Sequence, residues 1–238
     1  NNITFDNLCI AYGGSHGVGA GTCEGLTVQN CEFWWIGGAL QNYNEGAVRF
    51  GNAVEIYGGA TDYTVSNCYI DQVYDAGVTH QVSHETEGDF IMKNVTYKDN
   101  VILRCVYSIE HFIRAREGTT RYQVNISYTD NICRYAGDGF GKTRPDKTAP
   151  SHIRSGGAVD TAHFVISGNV FDRSTNQLFI FEAGGDEAAE FKGNTFIQTK
   201  GKAMFRFSNA YVPFNGLIPA YLEKNFKSDG KNIFYYAK

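Results

Sequence analysis

Glu55, Asp75, Glu110 and Asp138 each stand in, or just before, a short segment centred on one apolar residue: "NAVEI", "DAGVTH", "YSIEH" and "DGFGK". Carboxyl groups gathered on one face can divide acid and base roles between them. One that burial keeps protonated gives its proton to a leaving oxygen, and another activates water or attacks directly. Asp75 is the first candidate for such chemistry because it immediately precedes the small pair Ala76-Gly77, where a ligand can approach the backbone. Gln81 closes the same stretch. His80 and His111 follow Thr79 and Glu110, and alternation allows two readings: an inward, hydrogen-bonded stack, or a pair of ligand-binding residues in a groove. His16, set among glycines in "GGSHGVGA", and His152, late in the longest polar excursion, are placed to touch a ligand. That excursion, Lys142 to Ser155, holds Arg144 and Asp146 on either side of Pro145. It is either a rigid turn that aims a guanidinium at an anionic group or at Glu110, or a solvated loop whose charges do little.

An internal repeat positions these residues. "LTVQNCEF", "YTVSNCYI", "VTYKDNVI", "ISYTDNIC", "FVISGNVF" and "AEFKGNTF" share an alternating segment, a turn residue, and then Asn or Cys. That Asn/Cys position falls at Cys31, Cys68, Asn100, Asn131, Asn169 and Asn194, with Asn7 supplied in front by "ITFDNLC". A second alignment places Val18, Val54, Val78, Ile109, Phe140, Leu178 and Met204 in one apolar row. A spacing that varies by insertion around a constant signature is that of a solenoid whose loops enlarge on one side. The sequence therefore predicts an all-β fold, a single-stranded right-handed parallel β-helix of about seven coils spaced ~4.8 Å apart, with loop insertions. Stacked Asn side chains hydrogen-bond along such a ladder, and free, buried Cys fits the same slot; Cys9, Cys105 and Cys133 read like Cys31 and Cys68.

The 238 residues fit one domain or at most two, and 42% hydrophobic residues fill a sizeable core. A net charge of −4 without a Lys/Arg run excludes the footprint of a nucleic-acid binder. No apolar stretch reaches the ~18 residues of a membrane span, and no cysteine or histidine spacing suggests a metal site. Residues 1–210 are expected to form the coils and 211–238 a C-terminal tail or cap, with a short helix at Ile218 to Phe226. Because the chain opens directly in a coil, further N-terminal coils or a partner segment are expected to cover that edge, as part of a longer polypeptide. Of the adjacent Trp34 and Trp35, at least one is expected in the core. An aromatic among Tyr43, Tyr57 and the other Trp is a candidate stacking platform for a sugar.

The segments "RFGNAVEIYGGA", "VYDAGVTHQ", "YSIEHF" and "YAGDGFGKTRPDK" resemble, in their order, the bacterial β-helix repeat proteins of the pectate-lyase-like superfamily, over roughly residues 25 to 160. This resemblance implies a carbohydrate substrate more safely than a mechanism, and with it a secreted, periplasmic or cell-surface location and a polysaccharide or oligosaccharide partner. Three readings follow. A glycoside hydrolase would use two of Asp75, Glu55 and Glu110 as its acid and its base or nucleophile, and would need no cofactor. Glu55 and Glu110, two coils apart in an outward row of Gly19, Glu55, Thr79, Glu110, Gly141, Phe179 and Phe205, would suit the ~6.5–9.5 Å of an inverting pair, whereas Asp75 and Glu110 would suit the ~5–5.5 Å of a retaining one. A polysaccharide lyase would neutralise a uronate with Arg144, Lys142 and Arg114, or with Ca²⁺. A non-catalytic carbohydrate-binding β-helix would use the same groove without turnover.

Overall fold

The computed structural model describes residues 2–42, 48–83, 85–144, 149–156, 159–181 and 189–238. Strands follow one another in triplets: Ile3–Asp6, Cys9–Ala11 and Val18–Ala20; then Leu26–Gln29, Glu32–Ile36 and Val54–Tyr57; then Ala60–Ser66, Tyr69–Val73 and Ala76–Val82; then Phe90–Lys98, Val101–Leu103 and Tyr107–Ile113. The pattern continues through Arg121–Thr129, Ile132–Ala136 and Ser151–Ser155 and on to Ala203–Phe207. Equivalent members of successive triplets pair in parallel, giving three sheets of nine, eight and eight strands among the described residues. The chain is a right-handed parallel β-helix, as the repeat predicts. Past residue 210 it adds an antiparallel strand to the third sheet, Ala210–Pro213. The predicted helix forms over Ile218–Asn225 and buries Ile218 and Leu222. Lys227–Ser228 and Ile233–Ala237 then extend the first and second sheets.

The Asn ladder forms as the repeat requires. Asn100 Nδ2 donates to the Asn131 side-chain oxygen at 2.9 Å and to the Val65 carbonyl at 2.9 Å, and Asn131 and Asn169 repeat the pattern toward Asn194. Asn232 extends the ladder beyond Asn194. Each amide thus satisfies backbone groups of a neighbouring coil that would otherwise be orphaned in the interior. Asn131→Ala leaves several buried partners unpaired and is expected to lower stability by roughly 2–3 kcal/mol; a urea titration checks it, and a change below the error of that titration would remove the ladder's structural role. Cys31, Cys68, Cys105 and Cys133 are free and buried, but Cys9 is exposed. It points outward because the inward residue of its strand is Ile10, whose partner is the buried Phe33.

Other registers differ from the sequence alignment by one residue. Asn7 pairs in row with Asn30 and Asn67, the left-handed turn residues at φ 55, 53 and 51, so Leu8 holds the ladder position of the first coil. Asn tolerates that left-handed conformation better than most residues. In the third sheet, Ile109 pairs with Ile153, Ile153 with Phe179 and Phe179 with Phe205. Phe140 therefore leaves the apolar row and starts a short 3₁₀ turn, Phe140–Thr143. Leu178 and Met204 are buried but stand one row earlier, level with His152 and Ser108. The corrected outward row reads Gly19, Glu55, Thr79, Glu110, Arg154, Ile180 and Arg206. Neither tryptophan enters the core. Trp35 takes a left-handed φ of 53, so both rings stay outside between the buried Phe33 and Ile36.

Candidate functional site

Outside the third sheet lies a cleft of about 550 Å³ lined by Glu55, Asp75 and Glu110, by Arg114, Arg144 and Arg154, and by Asn52, Gln81, Phe50, Tyr57, Phe112 and Gly156. That volume is in the range of small-ligand sites. Its floor is the outward row of the sheet, Glu55–Thr79–Glu110–Arg154, in which one strand separates the two glutamates and Arg154 lies directly beside Glu110.

Two insertions between the second and third sheets build one wall. In the first, Gly37 and Gly51 cross so closely that a Cβ on Gly37 would meet the Gly51 Cα at 2.9 Å, and this crossing sets Phe50 and Asn52 beside Glu55. In the second, the 3₁₀ turn folds back along the axis. Phe140 N–H donates to the Gln72 side-chain oxygen at 3.0 Å, and its ring packs 5.4 Å from Tyr74 and 5.5 Å from Trp35. Gly141 permits this, since a Cβ there would lie 2.5 Å from the Tyr74 carbonyl. Arg144 is thereby carried to Asp75, with which it forms an ion pair. Arg121 donates to the carbonyls of Ser83, Thr86 and Gly88.

Inside the cleft the three carboxyl groups sense one another. Glu110 is pushed up to about 8 by burial first and by the charge of Asp75 second, against the opposing pull of Arg154 and Arg144. Its Oε1 lies 3.5 Å from Arg154 Nε, and Gln81 Nε2 donates to its Oε2 at 3.3 Å. Arg154 also donates to Tyr107 Oη at 2.6 Å with its guanidinium over that ring. Glu55 is raised by burial, with His16 and the Asn52 amide pulling it down and Asp75 pushing it up. Glu110 is thus held as a neutral acid at neutral pH in a site that also contains an arginine-paired carboxylate.

The sequence candidates separate into those at the cleft and those elsewhere. Glu55, Asp75, Glu110, Gln81 and Arg144 line it, and His16 stands behind Glu55. Asp138 does not: it is exposed, its N–H donates to the Tyr135 carbonyl, and it sits toward Arg173 on another face. His80 and His111 are inside the coil, stacked at 5.5 Å, with His80 bonded to Tyr97 Oη and Gln123 and His111 to Tyr128 Oη. Following an outward residue in the strand, they point inward and cannot reach ligand in the cleft. His152 is buried too, because Ser151–Ser155 is a strand of the third sheet rather than part of a loop, and its Nδ1 meets Ser108 Oγ at 3.0 Å. Gly77 does not open the backbone to ligand; a Cβ there would meet Ile102 at 2.7 Å and the Ser108 carbonyl at 2.8 Å. Asp146, with Pro145, and Tyr43 lie outside the described residues. Arg154, Asn52, Phe50 and Phe112 were not singled out from sequence. Placing "SHIRS" rather than "DGFGK" beneath "YSIEH" would have put Arg154 in the glutamate row.

Among the described residues, no group of three or more His, Cys, Asp or Glu side chains is arranged to hold a metal ion, and no helix is long and apolar enough to cross a membrane. No protein-family model matches the chain. No curated protein matches it either. Among solved structures, a double mutant of the tailspike protein of E. coli bacteriophage HK620 is similar, with a TM-score of 0.51 and 14% sequence identity over 98% of this chain and 45% of the tailspike chain. The two share a β-helix fold. This chain spans less than half the length of the tailspike it matches, and at that identity the likeness is one of architecture alone.

Proposed function

We propose that the cleft hydrolyses a glycosidic bond of a polysaccharide, with Glu110 as general acid and Glu55 as general base. The observation that carries this reading is Glu110 itself: a buried carboxyl, raised to about 8, facing a cleft that holds two further carboxyl groups. A protonated Glu110 gives its proton to the leaving oxygen while Glu55 takes one from the attacking water. Their places in the sheet, with one strand between them, put their backbones ~10 Å apart, which suits the separation of an inverting pair. A base is most effective when its affinity for protons is lifted toward the working pH, and burial does that for Glu55. Burial keeps Glu110 protonated, and Asp75, held by Arg144, adds its negative charge to that effect. The resemblance to carbohydrate-active β-helix proteins of the pectate-lyase-like superfamily supports the substrate class, and a secreted, periplasmic or surface location belongs to the same reading.

Reducing-end release from a panel of plant, algal and host polysaccharides, with the anomer of the first product read by NMR, tests it. Inverted product without new unsaturation is expected; a retained anomer would move the second role from Glu55 to Asp75. Asp75→Asn is expected to shift the alkaline limb of the pH–rate profile downward by about one unit, because Glu110 loses a neighbouring negative charge. An unmoved limb would separate Asp75 from the protonation of Glu110.

A second reading is favoured by Arg114, Arg144 and Arg154 in the lining. Those guanidiniums are suited to neutralise a uronate carboxylate for β-elimination, with Lys142 nearby in sequence. Ultraviolet absorbance of unsaturated product on uronate polymers, in place of hydrolysis, would establish it.

A further inference from the structure

Glu55 is the carboxyl of the cleft that has a histidine against it. His16 Nδ1 lies 3.2 Å from Glu55 Oε2, with the two side chains 21% and 11% exposed. The same Nδ1 is 3.1 Å from the backbone nitrogen of Asn52. The Asn52 amide donates to Glu55 Oε2, and its oxygen accepts the Ala76 N–H at 2.8 Å, so one residue fastens the carboxyl, the ring and the next strand together. The ring is stacked on Phe50 at 5.8 Å and 30°.

His16 Nδ1 therefore has two alternative states. Bearing a proton, it donates to the Glu55 carboxylate. Without one, it accepts the Asn52 N–H, and Glu55 keeps the proton on Oε2. The switch between these states needs no movement of heavy atoms, since both partners are already in place.

We propose that His16 and Glu55 share one proton as a unit clamped by Asn52, with His16 acting as the positioning residue and proton carrier for Glu55. In the hydrolytic reading, Glu55 Oε2 takes a proton from the attacking water. That proton passes to His16 Nδ1, and the partly exposed imidazolium releases one to solvent, which restores the Glu55 carboxylate. Only O–H and N–H bonds are made and broken, and no oxidant or reductant is involved. Asp75 and Glu110 are the other ionisable groups whose charge bears on Glu55, and Arg144 reaches the unit through its pair with Asp75. The relay role rests on the proposed hydrolysis, whereas proton sharing between the two side chains stands apart from it.

The test is an NMR titration of the Glu55 carboxyl in the full chain and in His16→Gln. Loss of His16 is expected to turn a two-step Glu55 titration into a single step at a higher midpoint, because His16 pulls the Glu55 carboxyl down. An unchanged Glu55 titration would overturn the sharing, whatever the activity. If His16→Gln fails to fold, the same titration in His16→Asn decides. On an active substrate, His16→Gln should change the acidic limb of the pH–rate profile, leave the alkaline limb in place, and recover turnover with added imidazole. An unchanged acidic limb would remove the relay role. A panel that yields no hydrolysis would defeat the proposed function while leaving the titration result standing.

Discussion

Glu110→Gln is expected to reduce kcat/KM by ~10²–10⁴-fold while making the fold more stable at pH 8. The two effects share one cause. In the folded protein, burial and Asp75 hold Glu110 as a neutral acid up to about pH 8, whereas in the unfolded chain it ionises near its ordinary value of 4.5. A group whose folded value is raised contributes stability that is complete below pH 4.5 and is lost as pH climbs through about 8. Glutamine keeps the shape and the hydrogen bond to Gln81 but cannot ionise, so it escapes that loss. The gain at pH 8 is on the order of 4 kcal/mol, reduced by whatever attraction to Arg154 disappears. Thermal denaturation of both proteins at pH 5 and pH 8, beside kinetics on an active substrate, checks the pair of outcomes. Full activity in Glu110→Gln would end its role as acid, and equal destabilisation at both pH values would show that it is ionised in the fold.

The second large effect is acid unfolding that begins well above the range of ordinary carboxylates. His80 is held down to about 3 and His152 to about 4, in both cases chiefly because burial penalises the imidazolium; the stacked His111 adds to the effect at His80. Each is neutral in the fold and charges near 6.5 when unfolded. For a depressed folded value, stability is intact above 6.5 and falls as pH drops toward the folded value. The slope is ~1.4 kcal/mol per pH unit for each histidine. Between 6.5 and 4.5 Glu110 works the other way with about one such slope, so wild type should lose roughly half of what Glu110→Gln loses over the same window. By pH 4 the two histidines amount to roughly 6 kcal/mol, a large part of a typical domain's stability. Urea midpoints from pH 8 to 4 in both proteins would show this, and a flat profile for Glu110→Gln below 6.5 would mean that the buried rings are not the titrating groups.

The contrast between the His80/His111 pair and His152 explains much of what could be read in advance. His80 and His111 sit in segments whose alternation is clear, and their inward reading came from local pattern. His152 did not, because its strand, "SHIRS", looks like the tail of a polar loop, and only pairing with Tyr107–Ile113 reveals it as the third member of its triplet. The same displaced strand hides Arg154, while the false match of "DGFGK" sets Asp138 among the carboxyl groups of one face, where the fold does not place it.

What the sequence determined by itself is the architecture and the axis along which charge is gathered. Turn residues, Asn and Cys slots and alternating apolar residues recur with each coil, and local propensity and burial act in the same direction at each of them. Glu55 and Glu110 fall in one row for that reason. The tertiary structure alone decided which loops fold back over that row, because the path of an insertion depends on contacts with residues two coils away, such as Phe140 on Tyr74 and Arg144 on Asp75. It also decided the protonation of Glu110, since burial and the field of neighbouring charges are properties of the closed cleft and not of any segment of the chain.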